Sequence, residues 1–144
     1  MRTTLTRRLL ISATVAVASM AGITTTAIAG PVTATPEQCG YAQSRHNIGN
    51  GEITGDITGT QGRPGKIGVG YAKFGGSPVT IKMGWENSAG VRFPWNETRT
   101  IAAGGGWFGP VWDSWLDNKP IRPYVWVVGA PNPIYGAPVT ASSC

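Results

Sequence analysis

The sequence is poor in the groups that reaction chemistry needs. Among its 144 residues stand one histidine and two cysteines. With His46 alone, no histidine-rich metal site can be assembled. A nucleophile triad would have to pair His46 with a serine in a segment that has no nucleophile-elbow pattern. Glu52, Asp56, Asp113 and Asp117 offer carboxylates of the kind glycoside hydrolysis uses, but nothing in their spacing fixes a pair. Asp113, Asp117 and Asn118 lack the dense run of oxygen ligands that a calcium loop requires. The expectation is therefore a protein with no catalytic residues, no metal and no cofactor. Blocks of lysine or arginine are missing too, so nucleic acid is not an expected partner. So is any helical periodicity of apolar residues.

What is present begins with an address. Arg2, Arg7 and Arg8 precede an uncharged run from Leu9 to Ala29 that ends in Ala27-Ile28-Ala29 before Gly30. A positive start, an apolar stretch and a small-x-small ending define an export signal over residues 1–29. The serines and threonines in the run argue for removal, with no stable membrane insertion after cleavage. Thr6-Arg7-Arg8-Leu9-Leu10 also resembles a twin-arginine signal. The full chain carries 12 Lys and Arg against 7 Asp and Glu, a net charge of +5. Three of those cations lie in the signal, so the exported part is close to neutral, at about +2.

Residues 30–38, with Pro31 and Pro36, read as an extended leader, and residues 39–144 as one domain. Cys39 and Cys144 both fall in the exported part. In an oxidising compartment such a pair most simply forms a disulfide, the alternative being two free thiols. Closing a loop of about 100 residues corresponds to about 4.7 kcal/mol in the chain-entropy model.

Period-two alternation sets the fold class. Val79, Ile81, Met83 and Trp85 alternate with Thr80, Lys82 and Gly84, and Val91, Phe93 and Trp95 resume the pattern after Glu86-Asn87-Ser88-Ala89-Gly90. Two such runs about a polar loop predict an antiparallel hairpin with seven apolar side chains on one face. Lys66 to Phe74 alternates Ile67, Val69 and Tyr71 with Gly68, Gly70 and Ala72, a strand with one nearly bare face. Glu52-Ile53-Thr54-Gly55 and its echo Asp56-Ile57-Thr58-Gly59 predict one or two short strands with a bulge. Gln61-Gly62-Arg63-Pro64-Gly65 reads as a turn, Thr98 to Ala102 as a short strand, and Asp113 to Asn118 as a helical turn capped by Asp113. Ile121 to Val128 predicts a strand whose Pro123 suggests an edge or bulge, and Val139 to Ser143 a final edge strand. The sum is all-β, a small antiparallel β-sandwich or partly open barrel.

Binding is better provided for than catalysis. Trp107, Phe108, Trp112 and Trp115 crowd into nine residues beside Asp113, Asp117 and Asn118. Flat indole faces next to oxygen acceptors suit sugar rings, and Trp also dominates protein-interface hot spots. The competing reading is that these rings fill the core; Trp115, in the polar run DSWLDN, is the one expected at the surface. Trp85, Trp95 and Trp126 sit on strands and are expected in the core. Asn96-Glu97-Thr98 fits a glycosylation acceptor by pattern alone. The candidate ligand-binding set is Trp107, Trp112, Trp115, Asp113, Asp117 and Asn118, with polysaccharide or cell envelope as partner and an extracellular location.

Val79-Thr80-Ile81-Lys82, Trp85-Glu86, the loop to Gly90, and Gly104-Gly105-Gly106-Trp107-Phe108-Gly109 resemble the middle of the tendamistat-type secreted α-amylase inhibitors. Cys39-Gly40-Tyr41-Ala42-Gln43-Ser44-Arg45 resembles that family's first cysteine and reactive segment. The resemblance covers about a third of the exported chain and implies a six-stranded β-fold that plugs a hydrolase's active site. It places Arg45 and His46 on an exposed inhibitor loop. The family's Trp-Arg-Tyr is absent, because Arg45 is flanked by Ser44 and His46, and its second disulfide has no counterpart. The fold class carries over and the amylase target does not. Inhibition of a secreted amylase or protease is thus the alternative to glycan binding.

Overall fold

The computed structural model describes residues 38–144. The expected export signal over 1–29, and the leader up to residue 37, lie outside the described residues. Ten strands follow in order: β1 Tyr41–Asn47, β2 Gly51–Thr58, β3 Arg63–Lys73, β4 Val79–Glu86, β5 Arg92–Pro94, β6 Arg99–Ile101, β7 Gly106–Trp107, β8 Val111–Leu116, β9 Arg122–Val127 and β10 Ile134–Tyr135. No helix occurs among the described residues.

The strands form two antiparallel sheets that do not close into a barrel. The first runs β1-β2-β3, and the far edge of β3 is shared by β7 and β8; the second runs β10-β9-β4, and the far edge of β4 is shared by β5 and β6. Each sheet thus has a long central strand with one continuous neighbour and one broken one. In the first sheet the break falls at Phe108-Gly109-Pro110, between the pairs Tyr71↔Trp107 and Gly68↔Val111. In the second it falls at Trp95 to Thr98, where the Trp95 amide still donates to the Met83 carbonyl at 2.8 Å.

The alternation read in the sequence decides which side chains meet. Ile53, Ile57, Ile67, Val69 and Tyr71 of the first sheet face Ile81, Met83, Trp85 and Val125 of the second, all nearly inaccessible to solvent, in one continuous core. Fully burying such side chains stabilises by roughly 1.5–3 kcal/mol each. Cys39 and Cys144 are joined, with Cα atoms 5.6 Å apart, so the start of the described fold is fastened to its last residue.

Several expectations are corrected. The hairpin is real, but Val91 lies in the connecting loop and is exposed, and Phe93 is only partly covered, so the face holds fewer than seven buried side chains. The connection runs from Asn87 to Val91 and is tightened by the Gly90 amide donating to the Asn87 carbonyl, with Gly90 at φ +79. Glycine has no Cβ to oppose that conformation. The repeat over 52–59, expected as one or two short strands with a bulge, forms the single strand β2, which pairs with β1 without a bulge from Tyr41↔Thr58 to Asn47↔Glu52. Arg63-Pro64-Gly65 belongs to β3 rather than to a turn; Pro64 falls beyond the last β2 pair, Thr58 with Lys66, where its missing N–H interrupts no ladder to β2. Pro123 is not at an edge: β9 lies between β10 and β4, and Pro123 is buried opposite Trp85. The final segment makes isolated bridges, Ile121 with Val139 and Thr60 with Ser142, rather than a full strand.

Candidate functional site

The predicted helical turn at Asp113 to Asn118 is replaced by β8, and this redistributes the predicted site. Register with β3 pairs Lys66 with Asp113 and Pro64 with Trp115, which puts Asp113 and Trp115 on the outer face of the first sheet. Trp112, Ser114 and Leu116 take the opposite face, and Leu116 is core. Tryptophan on both faces hides the period of two, while asparagine and aspartate imitate helix-capping chemistry.

The six predicted ligand-binding residues therefore do not form one surface. Trp107 is only 3% exposed, with the Arg99 guanidinium 4.8 Å from its ring centre, so it packs the core and cannot stack on a ligand. Trp112 is half-buried and meets Trp95 edge-to-face at 5.2 Å. Asp113 is engaged by Lys66 Nζ at 2.7 Å, an exposed pair of small energetic weight. Asn118 is exposed in the loop after β8. Trp115, at 67% exposure, presents its ring to solvent.

A cleft of about 180 Å³ lies between the sheets at one end of the molecule, bordered by Asp117 and by β8 at Trp115, whose side chain the register turns to the outer face. Ile57, Ile67 and Leu116 line it from the first sheet, Trp85 and Phe93 from the second, and Asn87, Ser114 and Lys119 add polar groups. Phe93 stands directly across β4–β5 from Trp85, and the two rings stack at 4.1 Å with 13° between their planes. The Asp117 carboxylate accepts the Lys119 amide at 2.9 Å, which shapes the loop at the cleft. One carboxylate and one ammonium in the same lining leave no net charge there. An apolar interior with a few convergent polar groups suits a neutral ligand.

A second constellation, on the outer face of the second sheet, was not anticipated. Glu86, the last residue of β4, is 5% exposed yet charged. It receives a hydrogen bond from the Tyr135 hydroxyl, one from Arg122 Nη2 at 2.5 Å and one from Arg92 Nε at 3.0 Å. The Tyr135 bond first, and then the two arginines, hold its carboxyl at about 2 against the opposing effect of burial. Tyr135 also accepts from Arg92 Nη2 at 2.8 Å and lies under the Arg122 guanidinium at 4.5 Å. This carboxylate is saturated with donors and held far from the pH at which it would exchange a proton, which is the profile of a structural clasp. Glu86, expected in the hairpin loop, is instead the end of β4 and pairs with Arg92; Arg122 and Tyr135 arrive through β9 and β10, and no local signal announced them.

The residues set aside for other chemistry are also placed. Arg45 and His46 lie within β1, not on a protruding loop, and Arg45 Nε is tied to Gln43 at 3.0 Å. Glu52 and Asp56 sit four residues apart on β2, about 13 Å along a strand, beyond the separation of a glycosidase pair. Asp56 lies across Gly68, and burial raises its carboxyl above the usual value. Among the described residues no three histidine, cysteine or acidic side chains gather as a metal site, and no helix is long and apolar enough to cross a membrane. Set against known proteins, the chain matches no family model, no curated protein and no solved structure.

Proposed function

We propose that the chain is a secreted, non-catalytic β-domain that binds an extracellular polysaccharide or cell-envelope glycan at the outer surface around Trp115. The observation that carries the reading is an indole 67% exposed on the outer face of the first sheet, beside a shallow depression that Pro64, Lys66 and Asp113 also line. A sugar ring has an apolar C–H face for the indole and hydroxyls for the Asp113 carboxylate and the Lys66 ammonium. A Cys39–Cys144 disulfide is compatible with an oxidising, extracellular setting.

Retention of the oxidised domain on insoluble polysaccharides and cell-wall material tests this. Trp115→Ala is expected to abolish retention while leaving the melting temperature within about 2 °C of the parent, since exposed positions contribute little to stability. Equal retention of parent and variant would move the site elsewhere. Failure of the parent on every glycan, with capture and inhibition of a secreted hydrolase instead, would favour the inhibitor alternative.

A further inference from the structure

We infer that the outer face of the first sheet takes a straight, neutral, β-1,4-linked glycan chain over several consecutive units; the inference rests on the glycan-binding reading and names the ligand class for that same surface. Trp115 stands at one end of the platform. At the other is Phe108, 66% exposed on the same face. Its ring rests on the sheet with one side over Gly70 and the other over Gly106. A Cβ at the first would come within 2.3 Å of the ring, and at the second within 2.7 Å. Both glycines belong to this face, because Gly106 pairs with Ala72, the next outward residue of β3 after Gly70. The missing side chains are what let the ring lie there. Trp115 pairs with Pro64, at the opposite end of β3, so about 20 Å of strand separates the two aromatic side chains.

Between them lies a second, independent feature. The Asp56 carboxylate sits over Gly68, on the stretch of β3 that runs from Pro64 to Gly70. It is half-buried, burial raises its carboxyl, and no hydrogen bond or neighbouring cation offsets that. A carboxylate partly removed from water without a donor opposes folding, and a ligand hydroxyl supplies the donor. Reach and acceptor together select the ligand. A single sugar ring cannot touch both aromatic side chains, and a disaccharide reaches only one of them. A β-1,4-linked chain runs straight, with ring faces for Trp115 and Phe108 and hydroxyls for Asp56, whereas an α-1,4-linked chain curves away from a straight strand. An anionic polysaccharide would set its charge beside Asp56, and Lys66, the ammonium between the aromatics, is already held by Asp113 at 2.7 Å.

The test titrates the disulfide-intact domain calorimetrically with β-1,4-linked hexamers of glucose and of N-acetylglucosamine, with the dimer of each, and with the α-1,4-linked glucose hexamer. The expected result is that a β-1,4-linked hexamer binds at least tenfold more tightly than its own dimer and than the α-linked hexamer. Phe108→Ala and Trp115→Ala, both at exposed positions, are each expected to weaken that hexamer at least tenfold. Asp56→Asn is expected to weaken it about tenfold by loss of a charge-assisted acceptor, while raising the melting temperature at pH 7. A merely structural role for Asp56 would not set binding and stability against each other. Equal affinity for hexamer and dimer, equal affinity for the α-linked hexamer, or undiminished binding by Phe108→Ala or Asp56→Asn would overturn the extended-chain assignment and leave glycan binding at Trp115 standing. Binding of no oligosaccharide, with a dimer of the domain in sedimentation that Phe108→Ala dissociates, would overturn it and give the face to a second copy of the chain. Binding of none, with retention on another glycan in the pull-down, would overturn the assignment and keep the broader reading.

Discussion

Glu86 is the side chain on which the second sheet's outer surface closes, because one carboxylate joins β4, β5, β9 and β10. Its ionised form is favoured by folding, so its contribution is complete above about pH 4.5 and is lost as pH falls toward about 2. Glu86→Gln is expected to cost about 2 kcal/mol at pH 7, a value kept low because Arg92 and Arg122 remain half exposed. Thermal unfolding of parent and variant across pH 2 to 7 checks both magnitude and sign: the gap should shrink progressively below pH 4.5. A gap independent of pH would mean that shape rather than charge accounts for it. Asp56 has the opposite sign. Burial raises its carboxyl, so its charge opposes folding, and Asp56→Asn should raise the melting temperature at pH 7 with a gain that fades as acid protonates the parent. Neither effect was legible locally, since Glu86 reads as a loop residue and Asp56 as one more surface carboxylate until their cross-strand neighbours are known.

At the scale of elements, β3 explains why glycine recurs in this chain. Its outer side is bare at Gly68 and Gly70, and neighbours lie directly upon it: Asp56 over the first and Phe108 over the second. That bare face was legible in the sequence, as were β4 and the repeat that became β2. What was not legible was β8, where tryptophans point both ways and Asp113 mimics a helix cap; pairing with Arg63–Gly68 decided the matter. The same geometry separates two substitutions. A Cβ at Gly65 would come within 2.4 Å of Leu116 and 2.5 Å of the Thr58 carbonyl, both fixed in the sheet. Gly65→Ala should therefore cost more than about 2 kcal/mol. A Cβ at Gly70 would meet only Phe108, at 2.3 Å, and that ring is 66% exposed and free to swing outward. Gly70→Ala should cost less than about 1 kcal/mol. Urea unfolding of the two variants provides the comparison, and a larger loss at Gly70 would show that Phe108 is held in place.

For the whole molecule, the cysteine arithmetic and the strand alternation were enough to anticipate two facts, an all-β fold and a bond from Cys39 to Cys144. They were not enough to say which tryptophans line the interior, because five of the six lie on strands and most of their partners are far away in sequence. Trp107 went to the core and Trp115 to the surface for that reason. The bond spans 105 positions, so reduction should cost up to about 4.7 kcal/mol by the loss of a constraint on the unfolded chain. Denaturant unfolding with and without reductant measures it, and an unchanged midpoint would remove the bond from the account of stability. The central claim concerns the outer surface around Trp115, and tryptophan fluorescence with a soluble quencher tests it most directly. An indole 67% exposed is open to the quencher in the free domain. On addition of a retained glycan, the account predicts that the quenchable fraction falls in the parent and is already reduced in Trp115→Ala, where the glycan changes it no further. Saturating glycan that leaves Trp115 as accessible as before would contradict it.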